Sequence, residues 1–259
     1  MEHVLLPTTI EFLSTSHPHV GQMVITPCHQ GYGTTLGNAL RRVLLSSLPG
    51  AAVESIKITG VQHEFSTMEG VQEDVIEIIL NMKQLAVRLH TDGPVTLTLT
   101  KKGKGPVTAA DIARSSDVDV INTDLHIATV TDDKKTFEME IIIGKGRGYV
   151  PVGEKETKQL SLGTIAVDSL YTPIRDIGYG VENTRVGDVT DYEKLNLTIE
   201  TNGTVSPREA VSQATKILMD HFALILDKAG ETGEEEAVAP EEVKMVETPA
   251  EEVVGVVEE

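Results

Sequence analysis

Apolar side chains recur at intervals of three and four residues in three stretches of the chain, and each stretch predicts an amphipathic helix. The first predicted helix runs from about residue 34 to residue 47 and ends before Pro49 and Gly50. Arg41 and Arg42 lie side by side on its polar face. Its apolar stripe consists of Leu36, Leu40, Val43 and Leu44.

The second and third helices begin with polar residues that favour a helix start. A helix over about residues 70–83 is predicted, with acidic side chains near its first turn, where the helix dipole favours them. The third helix has Ser206 as N-cap, Pro207 at its first position and Glu209 to complete a capping box. Its apolar stripe consists of Val211, Ala214, Leu218, Phe222 and Ile225.

Between the helices, apolar and polar positions alternate, which predicts β-strands with one buried and one wet face. The clearest strands are predicted at residues 95–100, 137–143 and 195–199, and weaker ones at 20–26, 53–59, 85–89 and 127–130. Strands of this kind pair mainly in antiparallel sheets. Three helices and extensive sheet predict the α+β fold class.

Negative charge is concentrated at the C-terminal end of the sequence. The formal net charge of the 259 residues is −18, and 11 Glu against one Lys between Ala229 and Glu259 contribute a large part of it. This segment has no aromatic residue and predicts a disordered acidic tail. So acidic a chain should repel a phosphate backbone, which argues against DNA binding and favours protein partners.

The cysteine content and the hydropathy of the chain indicate where in the cell the protein is expected. Cys28 is the only cysteine, so the chain has neither an internal disulfide nor a cysteine-based zinc set. No run of 18 apolar residues and no signal-like N-terminus occurs. We therefore expect a cytoplasmic protein with no membrane contact.

Candidate chemistry is sparse. The glycine-rich segment 31–37 (GYGTTLG) lies between a predicted strand and a predicted helix, where backbone amides could hold a phosphate. Its spacing fits neither the dinucleotide fingerprint nor the P-loop. We therefore expect these glycines to have structural roles, with a tight turn at Gly31 and Gly33 and close packing at Gly37. No nucleophile elbow, metalloprotease motif or Cys/His ligand set is present, and neither a catalytic residue nor a cofactor is expected.

The apolar stripes of the first and third helices are wide for a single thin domain. Two such helices, doubled by symmetry, would form a four-helix contact around a two-fold axis. The alternative is ordinary packing of both helices on a sheet within a monomer. The residues alone leave both open.

Several long segments together resemble bacterial RNA polymerase alpha subunits. They are residues 31–50 (GYGTTLGNALRRVLLSSLPG), 64–74 (EFSTMEGVQED), 105–112 (GPVTAADI), 146–151 (GRGYVP) and 201–204 (TNGT). The resemblance runs in register over roughly residues 1–228.

The resemblance implies a discontinuous architecture. A dimerisation domain would consist of residues 1–49 and 176–228, a largely β insert domain of residues 50–175, and the acidic tail of residues 229–259. It also implies a homodimer that serves as an assembly scaffold for the beta and beta-prime subunits of a DNA-directed RNA polymerase. That complex is a nucleotidyltransferase whose catalytic magnesium would lie on a partner subunit, because this chain carries no active site of its own.

The resemblance also assigns surfaces. The implied dimer interface comprises Tyr32, Leu36, Leu40, Val43, Leu44, Val211, Leu218, Phe222 and Ile225. The implied beta contact comprises Arg41, Arg42, Glu69, Gln72, Glu73 and Asp74. The implied beta-prime contact comprises Glu77, Lys83, Val167, Asp168, Tyr171, Pro173 and Lys194.

One departure limits what is carried over. Members of the family continue into a small helical domain that binds promoter DNA and activators, whereas this sequence ends in the acidic segment, so DNA binding is not expected here. Two competing functions remain: a free-standing enzyme with a nucleotide in its glycine-rich loop, and a dimeric adaptor unrelated to transcription. Nucleotide binding would identify the first, and failure to co-purify with the two large polymerase subunits would favour the second.

Overall fold

The computed structural model describes residues 4–155, 161–187 and 189–230, and these ranges contain three α-helices and fourteen β-strands. The described residues up to 219 form one compact unit, and those from 220 to 230 belong to a second. The helices are α1 (Tyr32–Ser46), α2 (Val75–Met82) and α3 (Pro207–Gly230). The strands are β1 (Thr9–Ser14), β2 (Val20–Cys28), β3 (Pro49–Ile58), β4 (Val87–Leu89), β5 (Val95–Lys102), β6 (Gly105–Thr108), β7 (Val118–Val120), β8 (His126–Val130), β9 (Thr136–Arg147), β10 (Tyr149–Val150), β11 (Thr164–Ala166), β12 (Ser169–Leu170), β13 (Ile174–Val186) and β14 (Val189–Thr201).

A four-stranded antiparallel sheet joins the two ends of the first unit, in the order β1-β2-β14-β13. Alternate residues of β14, Leu195, Leu197 and Ile199, are fully buried on one face of this sheet. Leu44 of α1 and Ala210 of α3 belong to the same hydrophobic cluster. The period-two pattern of β14 and the apolar stripes of the two helices therefore form one core.

A second hydrophobic cluster lies between residues 53 and 167. Its main sheet has the order β5-β9-β3-β4-β7, with β11 paired to β3. In β9 the buried residues Phe137, Met139 and Ile141 alternate with the exposed Glu138 and Glu140, as expected from the sequence. Two-stranded sheets β6-β8 and β10-β12 complete this part of the chain.

Every strand pair in the described ranges is antiparallel, which confirms the prediction, and the mixture of many strands with three helices is compatible with α+β. Helix α1 begins at Tyr32, earlier than predicted, because Gly31 takes the left-handed conformation at φ 84° and serves as N-cap. Gly33 is therefore a helical residue and not part of a turn. Helix α3 continues through Gly230, and the rest of the predicted acidic tail lies outside the described residues.

The prediction of a helix from residue 70 was wrong for its first five residues. Gly70 has a left-handed backbone at φ 84°, and its carbonyl accepts a hydrogen bond from Thr131. The amide of Gln72 donates to the carbonyl of Thr129. The segment is thus bound to strand β8 and its continuation, and α2 begins only after Asp74.

Candidate protein-interaction surfaces

Helix α1 packs on the sheet through a narrow row of side chains. Its buried residues are Gly33, Gly37, Leu40 and Leu44, which follow helical spacing. A Cβ atom added to Gly37 would lie 2.6 Å from the Tyr179 ring, so the close approach at this position requires glycine. Both helix glycines therefore mark contact with the β13–β14 hairpin.

This packing separates the predicted dimer residues of α1 into two groups. Leu40 and Leu44 are 7% and 0% exposed and belong to the core of their own chain. Tyr32 is 46% exposed, and Leu36 and Val43 are half-buried. Only these last three are accessible to a second copy.

The apolar stripe of α3 becomes more exposed to solvent along the helix. The hydroxyl of Ser206 accepts a hydrogen bond from the Glu209 amide at 3.3 Å, so the predicted N-cap forms. Val211 is buried and Leu218 is half-buried. In the second unit, Phe222 and Ile225 are each 61% exposed. The second half of α3 therefore presents an apolar stripe to solvent.

The paired arginines and the acidic segment have different surroundings. Arg41 and Arg42 are both exposed on α1. Glu69, Gln72 and Asp74 are also exposed, and Glu69 forms an ion pair of 3.1 Å with Lys135.

Glu73, in contrast, is bound within its own chain. Its carboxylate accepts hydrogen bonds from the Thr129 amide at 2.6 Å, from the Thr129 hydroxyl at 2.8 Å and from His126 Nε2 at 2.9 Å. Burial opposes ionisation of this carboxyl, but these hydrogen bonds hold the pKa of Glu73 below its ordinary value. In this structure, Glu73 therefore attaches the segment before α2 to β8.

An apolar groove lies beside α2. Phe65, Ile76 and Leu80 are 75%, 43% and 50% exposed, and they line a groove of about 360 Å³. Lys83 and Asp168 also line it, and they form an ion pair of 2.6 Å. Three large exposed apolar side chains around one groove are typical of a surface that meets another protein.

The predicted beta-prime residues differ in their exposure. Glu77 and Lys83 are exposed on or after α2, and Lys194 is half-buried on β14. The hydrogen bond from Lys83, together with one from the Val152 amide, lowers the pKa of the Asp168 carboxyl. The side chains of Val167, Tyr171 and Pro173 are buried in this chain.

Two amides of the glycine-rich loop that could have held a phosphate already have a partner in the chain. The amides of Gly31 and Gly33 donate to the two carboxylate oxygens of Glu193. Glu193 was not among the predicted site residues, although its place in the alternating row with Leu195, Leu197 and Ile199 was a signal. Phe65 was not predicted either, because no periodic pattern contains it.

The described residues show neither a metal-binding cluster nor a membrane-spanning helix. No group of three or more His, Cys, Asp or Glu side chains in these ranges is arranged to hold a metal ion. None of the three helices is long and apolar enough to cross a membrane.

Comparison with a protein family and comparison with individual proteins both relate this chain to RNA polymerase subunits. Residues 56–172 match the family described as the RNA polymerase Rpb3/RpoA insert domain. The DNA-directed RNA polymerase subunit alpha of Clostridium botulinum strain Hall is 54% identical over 206 residues, which cover 80% of this chain and 65% of that protein. The corresponding subunit of strain Eklund 17B is 50% identical over 222 residues, or 86% of this chain and 70% of that protein. The chain thus spans about two thirds of the length of these relatives.

Proposed function

Because this chain belongs to the family of bacterial DNA-directed RNA polymerase alpha subunits, we propose that it is the assembly scaffold of such a polymerase. Two copies form a homodimer, and the dimer recruits the beta and beta-prime subunits for DNA-templated transcription in the cytoplasm. The nucleotidyltransferase chemistry and its magnesium belong to the partner subunits. The identity of 50–54% with proteins named as this subunit is the observation that carries the proposal.

Self-association is supported by the exposed apolar side chains of α3. Phe222 and Ile225 continue the helical stripe of Val211 and Leu218, yet they are 61% exposed in the single chain. Each fully buried side chain of this size gains roughly 1.5–3 kcal/mol. Covering the stripe with a second copy is therefore a favourable way to remove it from water.

Recruitment of the large subunits is supported by the groove beside α2. Its exposed Phe65, Ile76 and Leu80 lie next to the predicted contact segments at 69–74 and 77–83. We assign the groove to the large-subunit contact and Arg41 and Arg42 to the beta contact. No contact with DNA is proposed for the described residues.

The domain organisation is part of the same proposal. Residues 1–49 and 176–228 would form the dimerisation domain and residues 50–175 the insert domain. The separation of the two hydrophobic clusters supports this division, since one draws its buried residues from 53–167 and the other from 23–48 and 174–214.

Two measurements test the proposal. Light scattering should give twice the 28.0 kDa mass of the chain, and the tagged chain should co-purify with the beta and beta-prime subunits co-expressed from the same organism. The double change Phe222→Asp and Ile225→Asp should yield monomer, because two carboxylates would be buried in the interface. The matched control is Lys216→Asp, an exposed residue on the other side of α3, which should leave the dimer intact.

The choice of α3 residues follows from the structure. Leu40→Asp would place a charge in the core of the chain itself, where Leu40 is 7% exposed, and would unfold it without testing the dimer. A folded double variant that remains dimeric would contradict the proposed interface. A wild-type chain that co-purifies with neither large subunit would contradict the scaffold function.

A further inference from the structure

The N-terminus of α1 is capped by a residue from another element. The carboxylate of Glu193, on β14, accepts a hydrogen bond of 2.8 Å from the Gly31 amide through Oε1 and one of 2.9 Å from the Gly33 amide through Oε2. Glu193 lies 162 residues beyond Gly31 in the chain. We call this pair of hydrogen bonds the Glu193 clamp.

Helix α1 provides none of the usual capping groups itself. Its N-cap, Gly31, has no side chain to accept a hydrogen bond, and no acidic residue lies in its first turn. Amides at a helix start have no partner within the helix, and the helix dipole favours a negative charge there. The Tyr32 amide donates to the carbonyl of His29. Glu193 therefore supplies both the missing acceptors and the missing charge.

The sheet places Glu193 where the clamp can form. Glu193 occupies the row of β14 that continues through the buried Leu195 and Leu197, on the side that faces α1. The register between β14 and β2 shifts between Glu193, which is opposite Cys28, and Leu195. Such an irregularity changes the direction of nearby side chains.

Because Gly33 has no side chain, the Glu193 carboxylate can approach the first turn of α1 closely. A Cβ atom at this position would lie 2.8 Å from Glu193 Oε2 and 3.0 Å from Val181 Cγ1. The first turn of α1 is thus held against both strands of the β13–β14 hairpin, by hydrogen bonds from one strand and by contact with the other.

Tyr32 lies between the two amides that the clamp holds. Its ring is 46% exposed and meets the His29 ring edge-on at 6.0 Å between centroids. Because its backbone is held on both sides, the position of the Tyr32 side chain depends on Glu193. Tyr32 is also the most exposed of the predicted dimer residues on α1.

We propose that Glu193 is a positioning residue for self-association: through the amides of Gly31 and Gly33 it fixes the first turn of α1, and with it Tyr32, in the geometry that a second copy binds. This inference rests on the proposed homodimer. A clamp that only stabilised the fold would affect melting but not the affinity between folded copies.

The test compares three variants of the whole chain. Glu193→Gln keeps the size of the side chain but removes its charge and replaces one acceptor with an NH₂ group that faces an amide donor. We expect the dimer dissociation constant, measured by sedimentation well below the melting temperature, to rise about tenfold, since a lost cap weakens a helix start and each dimer contains two clamps. Hydrogen exchange of the amides at residues 31–35 should accelerate in the same variant.

Glu182→Gln is the matched control, because Glu182 lies on the same hairpin, its side chain is 65% exposed, and its ion pair with Lys194 is long at 3.9 Å. It should leave the dissociation constant unchanged. If Glu193→Gln does not fold, Glu193→Asp decides, because its shorter carboxylate should reach only one amide and raise the dissociation constant above the wild-type value.

The outcomes are separable. A folded Glu193→Gln or Glu193→Asp variant with the wild-type dissociation constant overturns the positioning role, even if it melts at a lower temperature. A wild-type chain that stays monomeric overturns the homodimer itself, and this inference with it.

Discussion

The phenolic hydroxyl of Tyr171 donates a hydrogen bond of 2.7 Å to the carboxylate of Glu54. Tyr171 is 6% exposed and lies against Gly146, where an added Cβ atom would be 2.6 Å from its ring. Burial, together with the hydrogen bond to Glu54, raises the pKa of Tyr171 to about 12. The residue thus joins β3 to the segment before β13 in its neutral form only.

This relationship predicts a loss of stability at high pH. The unfolded chain releases the Tyr171 proton near the ordinary pKa of 10.0, and the folded chain releases it at a pKa of about 12. The contribution of Tyr171 to the free energy of unfolding is therefore fully present below pH 10 and is lost as the pH rises towards 12. The shift corresponds to roughly 2–3 kcal/mol. Denaturant unfolding should show that Tyr171→Phe reduces the slope of stability with pH in this window. Tyr149→Phe, at a 57% exposed residue, is the control and should keep the wild-type slope.

A neighbouring pair on α1 tests the assignment of its buried face. Leu44 is 0% exposed and Leu45 is 38% exposed, although both are leucines on the same helix. Leu44→Ala should lower the free energy of unfolding by about 2–5 kcal/mol, because it removes a fully packed side chain and leaves a cavity. Leu45→Ala should cost less than about 1 kcal/mol in the same urea titration. Equal losses would mean that α1 is rotated about its axis relative to the sheet.

The paired arginines test the proposed beta contact. Both Arg41 and Arg42 are exposed on the face of α1 that does not pack on the sheet. A guanidinium can form forked hydrogen bonds with carboxylates or carbonyls of another chain, and truncating such a group in a buried interface costs on the order of 2–5 kcal/mol of binding. Arg42→Ala should therefore leave a folded dimer that fails to capture the beta subunit at near-physiological salt.

Arg114→Ala, which removes an exposed arginine outside the predicted contact segments, should capture beta normally. Normal capture by the double variant Arg41→Ala, Arg42→Ala would show that this helix face does not bind beta. Loss of the dimer itself would show instead that the arginines belong to the two-fold interface.

Much of the secondary structure could be predicted because burial imposes a period on the sequence. The alternation of Phe137, Met139 and Ile141 predicted β9, and the capping residues before Val211 predicted the start of α3. Strand β13 was missed because few of its residues are buried, and Gly178 and Gly180 interrupt any apolar pattern. This strand is held by backbone pairing with β14, which the sequence of β13 alone does not predict.

The candidate surfaces could be predicted only in part. An apolar stripe on α1 does not reveal which of its members face the chain's own sheet, and Leu40 does while Tyr32 does not. That distinction depends on Gly37, whose missing side chain lets the hairpin approach one side of the helix. The clamp was invisible for a similar reason, because it joins residues that are far apart in sequence.

The pairing of β2 with β14 also determines when the chain can finish folding. Contacts between distant segments form slowly, since a long loop must close first. During synthesis β2 and α1 leave the ribosome long before β14 exists, and their apolar faces stay uncovered until residues beyond 174 have emerged. The cluster between residues 53 and 167 can form earlier, and Tyr171, just beyond it in the chain, donates a hydrogen bond to Glu54 of strand β3. Early closure of this middle segment would bring the two halves of the four-stranded sheet within reach of each other on the nascent chain.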